Sequence, residues 1–333
     1  MTAQVSTIVR TGTPRVSVVV PTYRRTALLD RCLTALGAQS LPAGDYEIVV
    51  VHDGPSGEAR RLVWEHSARG APVVRYLELP ARRGPAAARN RGARAARGSI
   101  VAFTDDDTLP DREWLANGLR CFDDTVDAAW GRLVMPLGRE PTDYELDAAG
   151  LASAPFVTAN CFCRRSLLER LGGFDERFER AWREDSDLYF RLLAAGARVV
   201  SAPKAVVVHP IRPARWGVSL AQQRKVFFDA LLFKKHPALY RERVRPHARW
   251  DYYAAVTALA ACAIAAAAGA RGVALAAGAV WLALTARFCA ARLARTSKRA
   301  PHVAEMIVTS AAIPALATFW RLAGALKFRV LFL

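Results

Sequence analysis

Through residue 233 the chain alternates short, uniformly apolar runs with longer stretches of helical composition. "VSVVVP" at 16–21, "YEIVVVHDG" at 46–54, "VVRYLELP" at 73–80 and "SIVAFTDDD" at 99–107 are rich enough in β-branched residues to predict strands. Between the first two, "TALLDRCLTALGAQ" at 26–39 predicts a helix. Strands that are apolar throughout and alternate with helices predict a mostly parallel sheet covered on both faces. The pattern then changes. Residues 252–270 carry no charge, and such a length crosses a hydrocarbon core of roughly 30 Å at about 1.5 Å per residue. Residues 273–290 are apolar apart from Arg287, close enough to the segment end to snorkel to the interface. The stretch 303–320 contains Glu305 and Pro314 and is followed by Arg321, Lys327 and Arg329. It is expected to be an interfacial or re-entrant helix, because spanning would carry those cations across. The alternative for the first two segments is a buried, alanine-rich hairpin in a soluble domain, since alanine is only weakly hydrophobic.

Charge sharpens this division. The chain has 47 Lys and Arg against 30 Asp and Glu, a net of +17. Residues 1–233 hold 32 basic and 27 acidic residues, whereas 234–333 hold 15 and 3. The excess therefore flanks the apolar segments, in "KKHPALYRERVRPHARW" at 234–250 and "RLARTSKR" at 292–299, with only Arg271 in the connection. Basic flanks on both outer ends of a hairpin predict that both face the cytoplasm. The expected organisation is an α/β domain at 1–233, a basic juxtamembrane segment at 234–251 and a helical membrane region at 252–333, with the hairpin at 252–290. At roughly 100–200 residues per domain the length agrees with two units. The distribution points to membrane lipids as partners and not to nucleic acid, which the pI alone would suggest. Cysteines at 32, 121, 161, 163, 262 and 289 lack metal-ligand spacing and read as reduced thiols. "MTAQVSTIVRTGTP" at the start has no apolar core of signal-peptide length.

The candidate chemistry lies at the strand ends. Ligands of a parallel sheet gather beyond the carboxyl ends of its strands, and three predicted strands end in Pro21-Thr22-Tyr23, His52-Asp53-Gly54 and Asp105-Asp106-Asp107. Consecutive carboxylates suit a hard divalent cation, Mg²⁺ or Mn²⁺. They also suit two plainer readings, a cap on a helix around 111–120 and simple solvation. A phosphatase of the haloacid dehalogenase type also uses Asp-x-Asp after a strand, but it requires Thr or Val where this chain has Leu109, and it requires the first strand.

Five separated stretches, "VSVVVPTYRR", "EIVVVHDG", "RRGPAAARNRGARAARGSIVAFTDDD", "NCFCRRSLLERLGGFDERF" and "REDSDLYFRLLAAG", resemble in order and spacing the family 2 glycosyltransferases. These are nucleotide-sugar enzymes of the GT-A fold, a Rossmann-like α/β architecture with helices flanking the sheet. The resemblance runs from Val16 to Pro210 and leaves out the apolar C-terminal part. His52 departs from the family's more usual Asp-Asp-Gly-Ser, which leaves Asp53 intact. By this resemblance Pro21, Thr22 and Tyr23 border the nucleoside and Asp53 accepts from its base. Arg89 and Asn90 lie near the donor's phosphates and sugar, on a helix opened by Gly84-Pro85, and Asp106 joins the donor contacts. Asp105 and Asp107 hold the metal, His209 completes its shell, and Asp185 is the base toward the acceptor hydroxyl. A strand-end aspartate that only caps a turn, an arginine that only pairs, and a first-turn aspartate that only caps a helix are the plainer alternatives. Trp182 is a candidate apolar floor or a core residue.

The expectation is a membrane-associated, metal-dependent, inverting hexosyltransferase using a nucleoside-diphosphate sugar and a lipid-linked or cell-envelope glycan acceptor, facing the cytoplasm. A non-catalytic membrane scaffold that keeps the fold is the alternative; donor hydrolysis separates the two. A nucleic-acid-binding protein is the other, and salt-dependent duplex binding is its signature.

Overall fold

The computed structural model describes residues 12–332, so the opening stretch examined for a signal peptide lies, up to residue 11, outside the described residues. The chain packs as two compact units, one made of residues up to Pro136 together with Leu151–Pro210, the other of Leu137–Gly150 and Ile211 onward.

The first unit is built on one eight-stranded sheet. Its strands are β1 (Val16–Thr22), β2 (Tyr46–His52), β3 (Val73–Glu78), β4 (Ile100–Phe103), β5 (Leu109–Pro110), β6 (Ala128–Val134), β7 (Cys161–Arg164) and β8 (Val199–Val208). They lie in the order β3-β2-β1-β4-β7-β6-β8-β5. The four strands β3, β2, β1 and β4 are mutually parallel, and β6 pairs parallel with β8. β7 runs antiparallel between β4 and β6, and β5 antiparallel to β8. The sheet is therefore mixed, with an all-parallel half. The first helices are α1 (Thr26–Gly37), α2 (Gly57–Ser67), α3 (Pro85–Ala95) and α4 (Trp114–Leu119), followed in the second unit by α5 (Asp143–Ala149). α6 (Arg165–Arg170) and α7 (Glu184–Ala194) complete the first unit.

β1 and β2 are buried at every position, which is why their sequences are apolar without alternation. Val16, Val18, Val20, Ile48 and Val50 pack with Leu29, Leu33 and Leu36 of α1. On the opposite face α3 lies so close that a Cβ on Gly92 would come within 2.4 Å of Val19 Cγ1. Burying Val and Leu side chains on both faces stabilises by roughly 1.5–3 kcal/mol each, and that holds rigid the edge from which the loops after β1, β2 and β4 emerge. The order β2-β1-β4 makes those three loops neighbours.

The second unit is helical: α8 (Val218–Gln222), α9 (Asp229–Lys235), α10 (Pro237–Arg243), α11 (Trp250–Ala267), α12 (Arg271–Leu293) and α13 (Ala300–Phe328). The last three are long and apolar enough, by length and composition, to cross a membrane. The segment expected as interfacial or re-entrant belongs to one continuous 29-residue helix that runs through Pro314, with no chain reversal inside it. Of its most apolar window 39% is buried within the protein, against 6% for α12, so α13 is the inner helix of the three. The compositional boundary at 233 lies inside this unit.

Candidate active site

Beyond β1 the chain turns into α1 through Tyr23, Arg24 and Arg25. Thr22 Oγ1 donates to Asp106 Oδ2 (2.8 Å), and Arg25 Nη1 donates to Asp106 Oδ1 (3.0 Å) and reaches Asp107 Oδ2 (3.5 Å). Both oxygens of Asp106 are thus engaged by the neighbouring loop. Burial pushes its carboxyl above the usual aspartate range although Arg25 opposes this. Pro21 is buried in β1, while Tyr23 is half-buried and carries the Arg82 guanidinium 4.4 Å from its ring centroid. Such a flat, cation-backed aromatic face suits a stacking partner.

The aspartate loop itself is tied down by hydroxyls. Thr104 Oγ1 donates to the Ala159 carbonyl (3.0 Å), and Thr108 Oγ1 to that of Asp105 (2.8 Å). With the backbone fixed, Asp105 and Asp107 project on the same side, and each has a carboxylate oxygen within 4.8 Å of the other's and of a His209 ring nitrogen. His209 follows β8 directly, and its Nε2 lies 3.5 Å from Asp107 Oδ1. The structure therefore brings together residues up to 104 positions apart at the spacing a single cation needs. Two hard oxygen donors and one imidazole fit Mn²⁺ or Mg²⁺ by donor chemistry.

Arg89 is buried and lies between two acids. Its Nη2 donates to Asp105 Oδ1 (2.7 Å) and its Nη1 to Glu184 Oε1 (2.9 Å). Burial raises Asp105, but Arg89 and His209 outweigh it and hold the carboxyl below the ordinary aspartate value. Glu184 has one oxygen on Arg89 and the other, Oε2, buried with no hydrogen-bond partner among the described residues; burial pushes the carboxyl up to about 7. Next to it Asp185, half-buried, accepts from the Ser186 backbone N–H (2.6 Å). Burial raises its carboxyl above the ordinary value, with Ser186 and Arg183 opposing. The N-cap of α7 is Arg183, in the left-handed region at φ 73°, with no side-chain cap bond. Asp185 therefore lies two residues past the N-cap position.

Two expected donor contacts hold protein backbone. Asp53 accepts from the backbone N–H groups of Arg83 (2.6 Å) and Gly84 (2.9 Å), fixing the loop that opens α3. Asn90 donates to the Phe174 carbonyl (2.9 Å) and accepts from its N–H (2.7 Å). It braces the Gly-Gly-Phe loop that leads to α7. Sequence reasoning named Arg89 but missed Arg25 and the pairing of Glu184 with Arg89. The signal for Arg25, the second of two arginines after Pro-Thr-Tyr, gains meaning only once Asp106, 81 positions on, is placed beside it.

Comparison with known proteins adds an independent line. The model of glycosyl transferase family 2 matches residues 17–172, and that of glycosyl transferase family group 2 matches 100–290. A pre-mycofactocin glycosyltransferase of Mycobacterium tuberculosis is 33% identical over 215 residues, covering 59% of this chain and 43% of the relative. A validoxylamine A glucosyltransferase of Streptomyces hygroscopicus is 26% identical over 275 residues, covering 69% and 63%. The chain thus spans less than half the length of the first and under two thirds of the second. The solved structure of a mannosyltransferase from Pyrobaculum calidifontis in complex with GDP-Man and Mn²⁺ superposes with a TM-score of 0.60 at 27% identity, covering 94% of this chain and 88% of that one.

Proposed function

The chain belongs to the family 2 glycosyltransferases, and on that premise we propose that it moves a sugar from a nucleoside-diphosphate sugar to a hydroxyl of a lipid-linked or cell-envelope glycan, with inversion, at the cytoplasmic face of a membrane. The observation that carries the reading is the Asp105, Asp107 and His209 cluster beyond the parallel strands, in a chain whose neighbour was solved with GDP-Man and Mn²⁺. Asp105, Asp107 and His209 would hold the divalent cation, which supplies charge neutralisation for a departing diphosphate. Arg89 fixes the Asp105 carboxylate and keeps it ionised. Tyr23, backed by Arg82, offers its ring to the base of the nucleotide. Asp185 takes the proton of the acceptor hydroxyl as the acceptor oxygen bonds to the anomeric carbon and the bond from that carbon to the diphosphate oxygen breaks. Burial makes this carboxylate the stronger base,. Attack on the face opposite the leaving group inverts the anomeric centre. The apolar helices α11–α13 favour a membrane location, and the basic flanks favour the cytoplasmic side.

The test is thermal unfolding of the full chain with a panel of nucleotide sugars, with and without Mn²⁺. One donor should raise the melting temperature only when Mn²⁺ is present, by linkage. Asp107→Ala should lose that rise while keeping the ligand-free transition. A donor-induced rise that survives in Asp107→Ala, or needs no divalent metal, overturns the metal assignment.

A further inference from the structure

The geometry points to a phosphate-binding site in the second unit, a cavity of about 390 Å³ lined by Arg139, Glu140, Arg295, Ser297, Lys298 and Arg299, that takes the phosphate of a membrane lipid. Four cations face it and one acid. Glu140 is engaged by Arg299, with Nε to Oε2 at 3.4 Å. Arg139, Arg295 and Lys298 have no ion-pair partner among the described residues. Like charges gathered round one cavity repel, and a bound anion with several oxygens turns that repulsion into charge-assisted hydrogen bonds.

The walls are built and not merely flanking arms. The Ser297 N–H donates to the Pro141 carbonyl (2.8 Å), joining the two segments, and Thr296 and Ser297 are buried. One turn earlier Arg292 donates to Asp143 Oδ2 (2.7 Å), Thr309 Oγ1 (2.8 Å) and Ser310 Oγ (3.0 Å). The connection between α12 and α13 is thereby anchored to α5 and to the body of α13, which fixes the backbone that carries Arg295, Lys298 and Arg299. α13 starts at Ala300, so its positive end adds to the same field.

Location selects the ligand. The cavity lies where α12 ends and α13 begins, two helices long and apolar enough to cross a membrane. Helix ends of that kind meet the headgroup layer, where phosphates are concentrated and basic residues are attracted to them. The inference rests on the membrane part of the proposed function.

The experiment uses the full chain in neutral-detergent micelles. Dioctanoyl phosphatidylglycerol, dioctanoylglycerol and inorganic phosphate are each titrated against the unmodified chain, Arg295→Ala/Lys298→Ala, and a control with the same charge loss on exposed residues of the first unit, Arg112→Ala/Arg120→Ala. Phosphatidylglycerol should bind saturably, with affinity lowered on the order of tenfold or more in the cavity variant and unchanged in the control. Dioctanoylglycerol should not bind at the site. Equal weakening in both variants would mean diffuse attraction and overturns the site. Inorganic phosphate binding as tightly as the lipid overturns the lipid assignment. Mn²⁺-dependent nucleotide-sugar binding is measured on the same samples. Its retention alongside absent lipid binding counts against the cavity alone, whereas lipid binding without any nucleotide-sugar binding counts against the proposed activity alone.

Discussion

Asp185 occupies the second position of α7, and among the described residues its carboxylate accepts only from the adjoining Ser186. A helix cap would lose little on replacement by asparagine, which keeps an oxygen in the same place. A general base loses its proton acceptor. Asp185→Asn should therefore unfold within about a degree or two of the unmodified chain, since an isosteric change that keeps the oxygen accepting from Ser186 costs roughly 0.5 kcal/mol or less. Its turnover should fall by about 10²–10⁴-fold. Nucleotide-sugar affinity should hold, because the cluster at Asp105, Asp107 and His209 is untouched. The measurement is sugar transfer beside nucleotide-sugar binding, and turnover within a few-fold of normal removes Asp185 from the role.

At the scale of elements, α3 joins the halves of the candidate site through two adjacent residues. Arg89 ties it to the aspartate loop and to α7, and Asn90 ties it to the segment that precedes α7. Gly173 is where that segment comes closest. Its φ is +72°, and a Cβ there would stand 2.3 Å from Asn90 Oδ1. Gly172 has φ +74° with nothing within 4 Å of its Cβ position. Gly172→Ala should thus incur backbone strain alone, about 1 kcal/mol, while Gly173→Ala adds a collision and should cost in total roughly 2–4 kcal/mol. Thermal unfolding of the two variants side by side reads the difference. Equal destabilisation would show that the Asn90 brace yields freely. The α7 signature residues were visible as a motif, but this brace was not, because Asn90 and Phe174 are 84 positions apart and either alone is an ordinary loop or helix residue.

At the scale of the whole molecule, three apolar helices follow a unit whose proposed donor is a water-soluble nucleotide sugar. The distribution of cations sets the expected orientation: the first unit and the 292–299 turn in the cytoplasm, and the connection at Arg271 on the far side. In intact cells, Arg271→Cys should react with a membrane-impermeant thiol reagent, while Lys298→Cys should react only after permeabilisation. An Arg271→Cys chain shielded in intact cells would remove the hairpin arrangement.

The alternation of uniformly apolar runs with helical stretches was enough to determine the α/β class, because strands buried on both faces leave no polar positions to alternate. It also placed the carboxylates at strand ends, since a buried strand must stop where charge begins. Length and apolarity marked α11 and α12, though the continuity of α13 through Pro314 was not evident from a stretch holding Glu305 and followed by cations. The antiparallel β7 was equally hidden, because four residues, Cys161–Arg164, are too few to show a period. Only the tertiary structure decided which acid meets which partner. Asp106 turns inward to Thr22 and Arg25, while Asp105 and Asp107 turn together toward His209. Three consecutive aspartates are chemically identical in a sequence. Their partners come from strands and helices distant along the chain, so their surroundings are set by the packing that delivers those partners.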